Sequence, residues 1–232
     1  MLHALRAHVR TLSAAQLAPV VAVVLLALAP VASRAAVIIG NLPGNDLNST
    51  FMNAPAGGSN GGGVHDSKAA GFTMPAGSPY RLDYVDLRVE YFNTSSVPKV
   101  QIYSNAGTAP GTLLTTLDAP PVTVGTGTVR FTPSGNFTLD PLTTYWAVVW
   151  NDAPVANSYR WLASTPSQVP TGLATTAGYR FSNGPPPPVG ASSTFNSYEV
   201  GGTVVPEPTT ALGAAAALAG AACMRRRRRA RE

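Results

Sequence analysis

Apolar and polar residues alternate through the middle of the chain in the way that is typical of β-strands. In the segment 80–92, the apolar residues of one face are Val85, Leu87, Val89 and Tyr91. Leu82 and Tyr84 are also large and apolar, but they share the opposite parity. Because side chains on a strand alternate with a period of two, this change predicts a β-bulge or a change of sheet near Tyr84 and Val85.

Nine segments are predicted as strands, because clusters of Gly, Pro, Thr, Ser and Asn separate them at intervals of roughly ten residues. They are residues 37–40, 80–92, 97–104, 112–117, 122–131, 143–150, 159–163, 179–182 and 194–200. The segment 143–150 is apolar on both faces, which predicts a central strand covered on both sides. The rest of 36–71 is rich in Gly and Asn and is predicted as loop. This pattern predicts one all-β domain, either a sandwich or a barrel.

The first 35 residues have the pattern of a signal peptide. Arg6 and Arg10 precede an apolar run over residues 17–31, and Ser33 and Ala35 are small residues of the kind that signal peptidase recognises. We expect signal peptidase to cleave after Ala35, so that the exported protein begins at residue 36. A permanent N-terminal membrane helix is the alternative, which the shortness of the run disfavours.

The end of the chain combines a Pro-rich tetrapeptide, an apolar run over residues 209–224 and a cluster of arginines. The tetrapeptide is Val205, Pro206, Glu207 and Pro208, and the arginines are Arg225, Arg226, Arg227, Arg228, Arg229 and Arg231. As a helix the run spans about 24 Å, less than the roughly 30 Å of a bilayer core, so it predicts a short transmembrane helix that anchors weakly. The arginines predict a stop signal on the cytoplasmic side. A Pro-rich linker with a weak tail anchor is the alternative interpretation.

The net charge of +5 comes from the two ends of the chain. Between residues 36 and 205 there are seven basic and nine acidic residues, which gives a net charge of −2. This balance removes the basic patch that a nucleic-acid partner would need, so we expect no nucleic acid among the partners. The single cysteine, Cys223, lies in the tail, so the central domain has no disulfide.

Residue combinations that would support catalysis are weak in the central domain. Its one histidine, His65, follows a Gly-rich stretch that holds a general base poorly. One histidine without cysteine does not make a zinc site. Asp83, Asp86 and Glu90 are interpreted as charges that protect a sheet edge rather than as a glycosidase pair.

The stretch Asn45, Asp46, Leu47 and Asn48 could contribute oxygen ligands to an irregular calcium site. A turn in which Asn and Asp bond to their own backbone is the favoured interpretation. We therefore expect a protein that is not an enzyme and that uses no cofactor or metal.

Aromatic residues provide the candidate ligand site. Trp150, Asn151 and Asp152 follow one another at the end of a predicted strand, and Trp161 lies on the next one. Sugars stack on aromatic rings, and neighbouring Asn and Asp side chains bind their hydroxyl groups. Core packing remains the alternative for both tryptophans.

The order of Val205-Pro206-Glu207-Pro208, the apolar run and the terminal arginines resembles the PEP-CTERM sorting domain of Gram-negative bacteria. The resemblance covers roughly the last 28 residues, and we assign the sorting signal to residues 203–232. It implies that exosortase, a transpeptidase of the inner membrane, recognises the tetrapeptide. It also implies that the tail is a transient membrane anchor and that the protein is associated with exopolysaccharide or biofilm matrix.

A second resemblance rests on five short stretches of the central domain. They are Tyr80-Arg81-Leu82-Asp83-Tyr84-Val85-Asp86-Leu87, Val100-Gln101-Ile102-Tyr103-Ser104-Asn105, Pro110-Gly111-Thr112-Leu113-Leu114, Leu142-Thr143-Thr144-Tyr145-Trp146 and Tyr159-Arg160-Trp161. Together they are similar to the exported bacterial domains called choice-of-anchor R. The resemblance implies a jelly-roll-like β-sandwich over residues 36–202, and it carries no catalytic residues.

We therefore expect a non-catalytic protein that is exported across the inner membrane and retained there at first. Its final location is expected to be the cell envelope, the cell surface or the extracellular matrix. A carbohydrate-binding module that recognises exopolysaccharide is the alternative.

Overall fold

The described part of the chain consists of β-strands joined by turns and loops, without a helix. The computed structural model describes residues 34–52, 67–92, 94, 97–151, 159–184 and 186–206. Its strands are β1 (Ala36–Gly40), β2 (Asn48–Met52), β3 (Ser67–Thr73), β4 (Tyr80–Tyr91), β5 (Lys99–Ala106), β6 (Ala109–Asp118), β7 (Gly125–Pro133), β8 (Thr138–Leu139), β9 (Thr144–Trp150), β10 (Tyr159–Ala163), β11 (Thr171–Gly172), β12 (Thr175–Ser182), β13 (Gly190–Ala191) and β14 (Tyr198–Val204). Within these ranges, nothing meets the requirements for a membrane-spanning helix.

The strands form one curled antiparallel sheet. Its order is β11-β1-β14-β4-β7-β6-β5-β9-β3-β12-β13, with β8 and β10 also paired to β4, and β2 paired to β10. The first section of the sheet runs from β11 to β7 and includes β8, β10 and β2. The second section runs from β6 to β13. The two sections are joined where Leu117 and Asp118 of β6 pair with Pro133 and Thr132 of β7.

The apolar faces of the two sections enclose one core. Side chains from the first section include Ile38, Val85, Leu87, Phe131 and Val200, and side chains from the second include Phe72, Val100, Ile102, Tyr145 and Val149. These positions alternate along their strands, as expected when one face of each strand is buried. A smaller apolar cluster lies on the outer face of the second section and contains Ala69, Tyr103, Trp146 and Val148.

The all-β prediction is confirmed for the described residues, and the predicted strand count is wrong. Each of the nine predicted segments overlaps a strand, but the structure contains fourteen. The five that were not predicted are β2, β3, β8, β11 and β13. The predicted signal helix and the predicted C-terminal helix fall on residues 1–33 and 207–232, outside the described residues.

The sequence predicted a loop up to Gly71, and this prediction is wrong for residues 67–71, which belong to β3. β3 pairs along its whole length with both β9 and β12. Its residues Ala69, Ala70 and Gly71 are small and give a weak strand signal in the sequence. The small residues are required by what packs over them, since the ring of Trp146 lies against Gly71.

The predicted bulge in β4 is confirmed. Tyr84 pairs with Gly201 and Leu82 pairs with Gly202, so Asp83 is the extra residue. Leu82 therefore enters the core, while the Tyr84 ring covers Gly201 on the outer face. The two side chains do not share a face, because the bulge lies between them.

The prediction that β9 is a central strand is also confirmed. It is paired on one side with β5 and on the other with β3. Tyr145, Ala147 and Val149 point into the main core, and Trp146 and Val148 belong to the outer cluster.

Candidate functional site

Trp150 lies at the end of β9, on the outer face of the second section, and is half-buried. Its indole N–H donates to Oε1 of Gln101 at 3.0 Å, and the Lys99 ammonium lies 5.1 Å from the ring centroid. Gln101 in turn accepts from the Tyr103 hydroxyl at 3.2 Å and donates to Thr116 at 3.1 Å. The ring is thus held in one orientation by the side chains of β5.

Asn151 has a structural role in this arrangement. Its side chain is completely buried, and its amide nitrogen donates to the backbone oxygen of Met52 at 3.1 Å. This bond ties the end of β9 to the end of β2. A buried amide that is engaged in this way is not available to bind the hydroxyl groups of a ligand. Asp152 lies outside the described residues.

Trp161 belongs to the main core, so the prediction that it could bind a ligand is wrong. It has no exposed surface, and its indole N–H donates to the backbone oxygen of Ser197 at 3.0 Å. Neither face of the ring can stack on a sugar. Trp161 is therefore a core residue, as the alternative interpretation stated.

Trp146 is also buried, although it lies on the outer face. One side of its ring covers Gly71, and the Arg180 guanidinium lies 5.6 Å from the ring centroid. Its indole N–H donates to Oδ1 of Asn105 at 2.9 Å. Trp150 is therefore the one tryptophan of the three whose side chain reaches solvent.

Trp150 and Asn151 lie at the opposite end of the domain from the point where the chain leaves it. Near Tyr80, β4 pairs with the last residue of β14. Near Tyr91, β4 pairs with β10, which pairs with Met52 of β2, the residue that Asn151 binds. The 12 residues of β4 cover about 36 Å at roughly 3.3 Å per residue. We call these the exit end and the far end.

The tetrapeptide of the tail begins immediately after β14. The Val205 N–H donates to the backbone oxygen of Pro79 at 2.9 Å, so Val205 is still attached to the domain. Pro206 is the last described residue. Glu207, Pro208 and the terminal arginines lie outside the described residues, as do His65 and residues 1–33 of the predicted signal peptide.

The carboxylates of β4 are paired with cations, two of them on neighbouring strands and one on β4 itself. Asp86 accepts two hydrogen bonds from Arg130, at 2.9 and 2.7 Å. Glu90 lies 3.6 Å from Arg160, and Asp83 accepts from Arg81 at 2.9 Å. The interpretation that these charges protect a sheet edge is wrong, because β4 has partner strands on both sides.

Arg130 also connects β7 to a tyrosine of the bulge. Its guanidinium carbon lies 3.7 Å from the centroid of the Tyr84 ring, and the Tyr84 hydroxyl donates to Glu199 at 2.7 Å. Burial and then the hydrogen bond and charge of Glu199 raise the pKa of Tyr84 to about 12. The phenol is therefore a hydrogen-bond donor, and not a base, at neutral pH.

The turn before β2 follows the favoured interpretation of its sequence. Oδ1 of Asn45 accepts from the backbone N–H of Leu47 at 3.2 Å, which is the bond of an Asx turn. The Asp46 carboxylate is engaged by two nitrogens of Arg88, the shorter contact being 2.6 Å. No group of three or more potential metal-ligating side chains occurs in the described ranges.

Lys68 is the functional group that sequence reasoning missed. It shares the inward face of β3 with Ala70 and Phe72, and its side chain is 1% exposed. Burial lowers its pKa to about 7. Its Nζ atom donates to Oγ1 of Thr50 at 3.0 Å. The parity that Lys68 shares with Ala70 and Phe72 was a signal that could have revealed it.

The domain is an all-β domain in which tryptophan, arginine and carboxylate side chains are engaged by partners within the sheet. Comparison with models of known protein families gives no match, and a search of curated proteins finds no similar protein.

Proposed function

We propose that the protein is an exported, non-catalytic component of the envelope or extracellular matrix of a Gram-negative bacterium. In this proposal, signal peptidase removes residues 1–35, and exosortase recognises the PEP-CTERM tail over residues 203–232. The domain between them is a jelly-roll-like β-sandwich of the choice-of-anchor R type. The curled antiparallel sheet with one enclosed core is consistent with this assignment.

The observation that carries the proposal is the way the chain leaves the domain. β14 lies inside the sheet, between β1 and β4, and its hydrogen bonds extend to Val205. A tail joined to an interior strand can be held by a membrane or cut by an enzyme without removing a strand from the domain. The tetrapeptide also follows β14 with no intervening residues. The tail would therefore attach the domain to the membrane by its exit end.

The test of sorting uses Glu207→Ala, with Glu232→Ala as the matched control because it changes another carboxylate of the tail. We expect the full-length Glu207→Ala protein to accumulate unprocessed in the membrane fraction of a host with exosortase. The Glu232→Ala protein should be processed like the wild type. Normal maturation of Glu207→Ala would contradict recognition of the tetrapeptide.

A second test addresses the arginines. Deletion of residues 225–232 should let the weak anchor pass through the membrane, since the run is shorter than a bilayer core and the positive charges oppose translocation. Immunoblots of the membrane and medium fractions measure the distribution. Retention of the shortened protein in the membrane would refute a stop signal in the arginines.

Carbohydrate recognition is the second candidate function, and the far end supports it. Trp150 is half-buried, is fixed by Gln101, and lies at the far end of the domain, which is separated from the exit end by the length of β4, about 36 Å. A domain attached at its exit end would present this ring away from the attachment. Of the candidate residues that the structure describes, Trp150 alone retains this role in the proposal.

The test compares Trp150→Ala with Val169→Ala, an exposed apolar residue. Each full-length protein is mixed with exopolysaccharide from the source organism, and the bound fraction is measured by co-sedimentation. We expect Trp150→Ala to lower the bound fraction and Val169→Ala to leave it unchanged. Wild-type protein that does not sediment with the polysaccharide would remove this candidate function and leave the sorting proposal intact.

A further inference from the structure

Three polar side chains from distant parts of the sequence meet behind β2. Lys68 Nζ lies 3.0 Å from Oγ1 of Thr50. The same Oγ1 atom lies 3.3 Å from Oδ1 and 3.2 Å from Nδ2 of Asn196. Thr50 and Asn196 are separated by 146 residues of sequence. The hydroxyl thus stands between an amine and a carboxamide.

The contacts with Asn196 bring the hydroxyl close to its carboxamide carbon. That carbon is bonded to both Oδ1 and Nδ2, so a hydroxyl that is hydrogen-bonded to both atoms lies about 3.7 Å from it, close to the plane of the carboxamide. The carboxamide is completely buried and is held by a second bond, from Nδ2 to the backbone oxygen of Trp161 at 2.6 Å. The carboxamide is therefore held beside the hydroxyl, and a rotation about its Cβ–Cγ bond would turn the face of its carbon toward Oγ1.

The amine is suited to accept the proton of the hydroxyl. Lys68 is almost completely buried, and its Nζ atom contacts the Thr50 hydroxyl directly. Burial lowers its pKa to about 7, so a large fraction of this amine is uncharged at neutral pH. An amine that is hydrogen-bonded to a hydroxyl is a known way of activating an oxygen nucleophile.

We propose that Thr50 and Asn196 form an ester cross-link inside the domain, with Lys68 as the general base. Lys68 takes the proton of Thr50, and the Oγ1 electron pair forms a bond to the Asn196 carboxamide carbon. The bond from that carbon to Nδ2 then breaks, and Lys68 returns its proton to the departing nitrogen, which leaves as ammonia. No oxidant or other reactant is needed. Ammonia becomes ammonium at neutral pH and diffuses away, which makes the step irreversible in practice.

The cross-link would stabilise a weakly held strand. Among the strands that the structure describes, β2 is paired only to β10, whereas Asn196 lies just before β14 in the interior of the sheet. A covalent bond between them closes a loop of 146 residues, which restricts the unfolded chain as a disulfide does. The only cysteine of the chain is in the tail, so the domain has no disulfide of its own. This inference does not depend on the sorting proposal.

The test is peptide mass spectrometry on full-length protein purified from a Gram-negative host and digested with trypsin after denaturation. Thr50 lies in the peptide that ends at Lys68, and Asn196 lies in the peptide that begins at Phe181. We expect these peptides to be joined, with a combined mass about 17 Da below their sum because ammonia is lost. Dilute hydroxylamine at neutral pH should separate them into two intact peptides, since it cleaves esters under these conditions and leaves the Asn60–Gly61 and Asn183–Gly184 bonds uncut.

Variants assign the roles of the residues. Thr50→Ser keeps a hydroxyl and should form the cross-link, whereas Thr50→Val and Lys68→Met should give two linear peptides. Thr144→Val, which removes a hydroxyl bonded to Thr73 elsewhere in the domain, is the matched control and should stay cross-linked. Linear peptides from the wild type would overturn the proposal and leave a hydrogen-bond network. A joined product that resists hydroxylamine would overturn the ester and place the bond on another atom.

Discussion

Gly71 is a position where one added methyl group should lower the stability of the domain measurably. A Cβ atom at this position would lie 2.7 to 2.8 Å from three carbons of the Trp146 ring. Carbon atoms in contact are normally about 3.5 to 4.0 Å apart, so Gly71→Ala requires the ring to move by about 1 Å. The ring also contacts Arg180 and is hydrogen-bonded to Asn105, and a shift of the ring disturbs both contacts.

The expected loss of stability follows from these contacts. Overpacking of a filled site costs about 1 to 3 kcal/mol, and a weakened indole hydrogen bond adds about 1 kcal/mol. Replacing glycine in a strand recovers roughly 0.5 to 1 kcal/mol of backbone entropy. The net prediction is a decrease of about 2 kcal/mol in the free energy of unfolding, or about 4 to 8 °C in Tm for a domain of this size.

The matched control is Gly127→Ala. Gly127 also lies within a strand, but a Cβ atom there would meet nothing within 4 Å. We expect this substitution to be neutral or slightly stabilising. Denaturant unfolding, followed by circular dichroism, measures both variants. The loss from Gly71→Ala should also shrink in a Trp146→Leu background, because the smaller side chain removes the clash. Equal stabilities of Gly71→Ala and Gly127→Ala would refute the packing argument.

Further predictions concern the charged groups of the domain. The pKa of Lys68 is about 7 in the folded domain and 10.5 ordinarily, so the unfolded chain binds more protons between these values and stability should rise with pH. Between pH 7 and 9.5 we expect the free energy of unfolding, measured by denaturant titration, to rise by about 2 to 3 kcal/mol. Lys68→Met should remove this rise. A wild-type stability that does not change with pH would contradict the burial of the amine. Asp86→Ala should lower stability by about 1 to 3 kcal/mol, because it removes two charge-assisted bonds from Arg130. Glu90→Ala should cost less than about 1 kcal/mol, since its ion pair is longer and half-exposed; a larger loss than that of Asp86→Ala would reverse this order.

Several features of the fold could be predicted because they are local. The parity change in β4 revealed the bulge, since an extra residue in a strand always exchanges the faces of the residues that follow it. The apolar residues on both faces of β9 predicted a central strand for a similar reason. β3 was missed because its small residues have weak strand propensity by themselves. The small size of Gly71 is required by Trp146 on β9, whose ring packs directly against it.

The candidate site was predicted less well than the fold. Trp150 and Trp161 looked equivalent in the sequence, since each is an aromatic residue at an alternating position. The structure leaves Trp150 half-buried on an outer face and encloses Trp161 in the core. Which face of a strand is covered depends on the other section of the sheet, and the residues of that section are remote in sequence.

The sequence by itself determined the strand periodicity, the mildly acidic charge of the central domain and the order of features in the tail. Each of these follows from neighbouring residues or from composition, so no partner strand needs to be known. Only the tertiary structure decided that Lys68 faces inward beside Thr50 and Asn196, and that the far end of the domain carries Trp150. These contacts depend on strand pairing and register between segments that are not neighbours in the sequence, up to 146 residues apart for Thr50 and Asn196, which the alternation along a single strand does not encode.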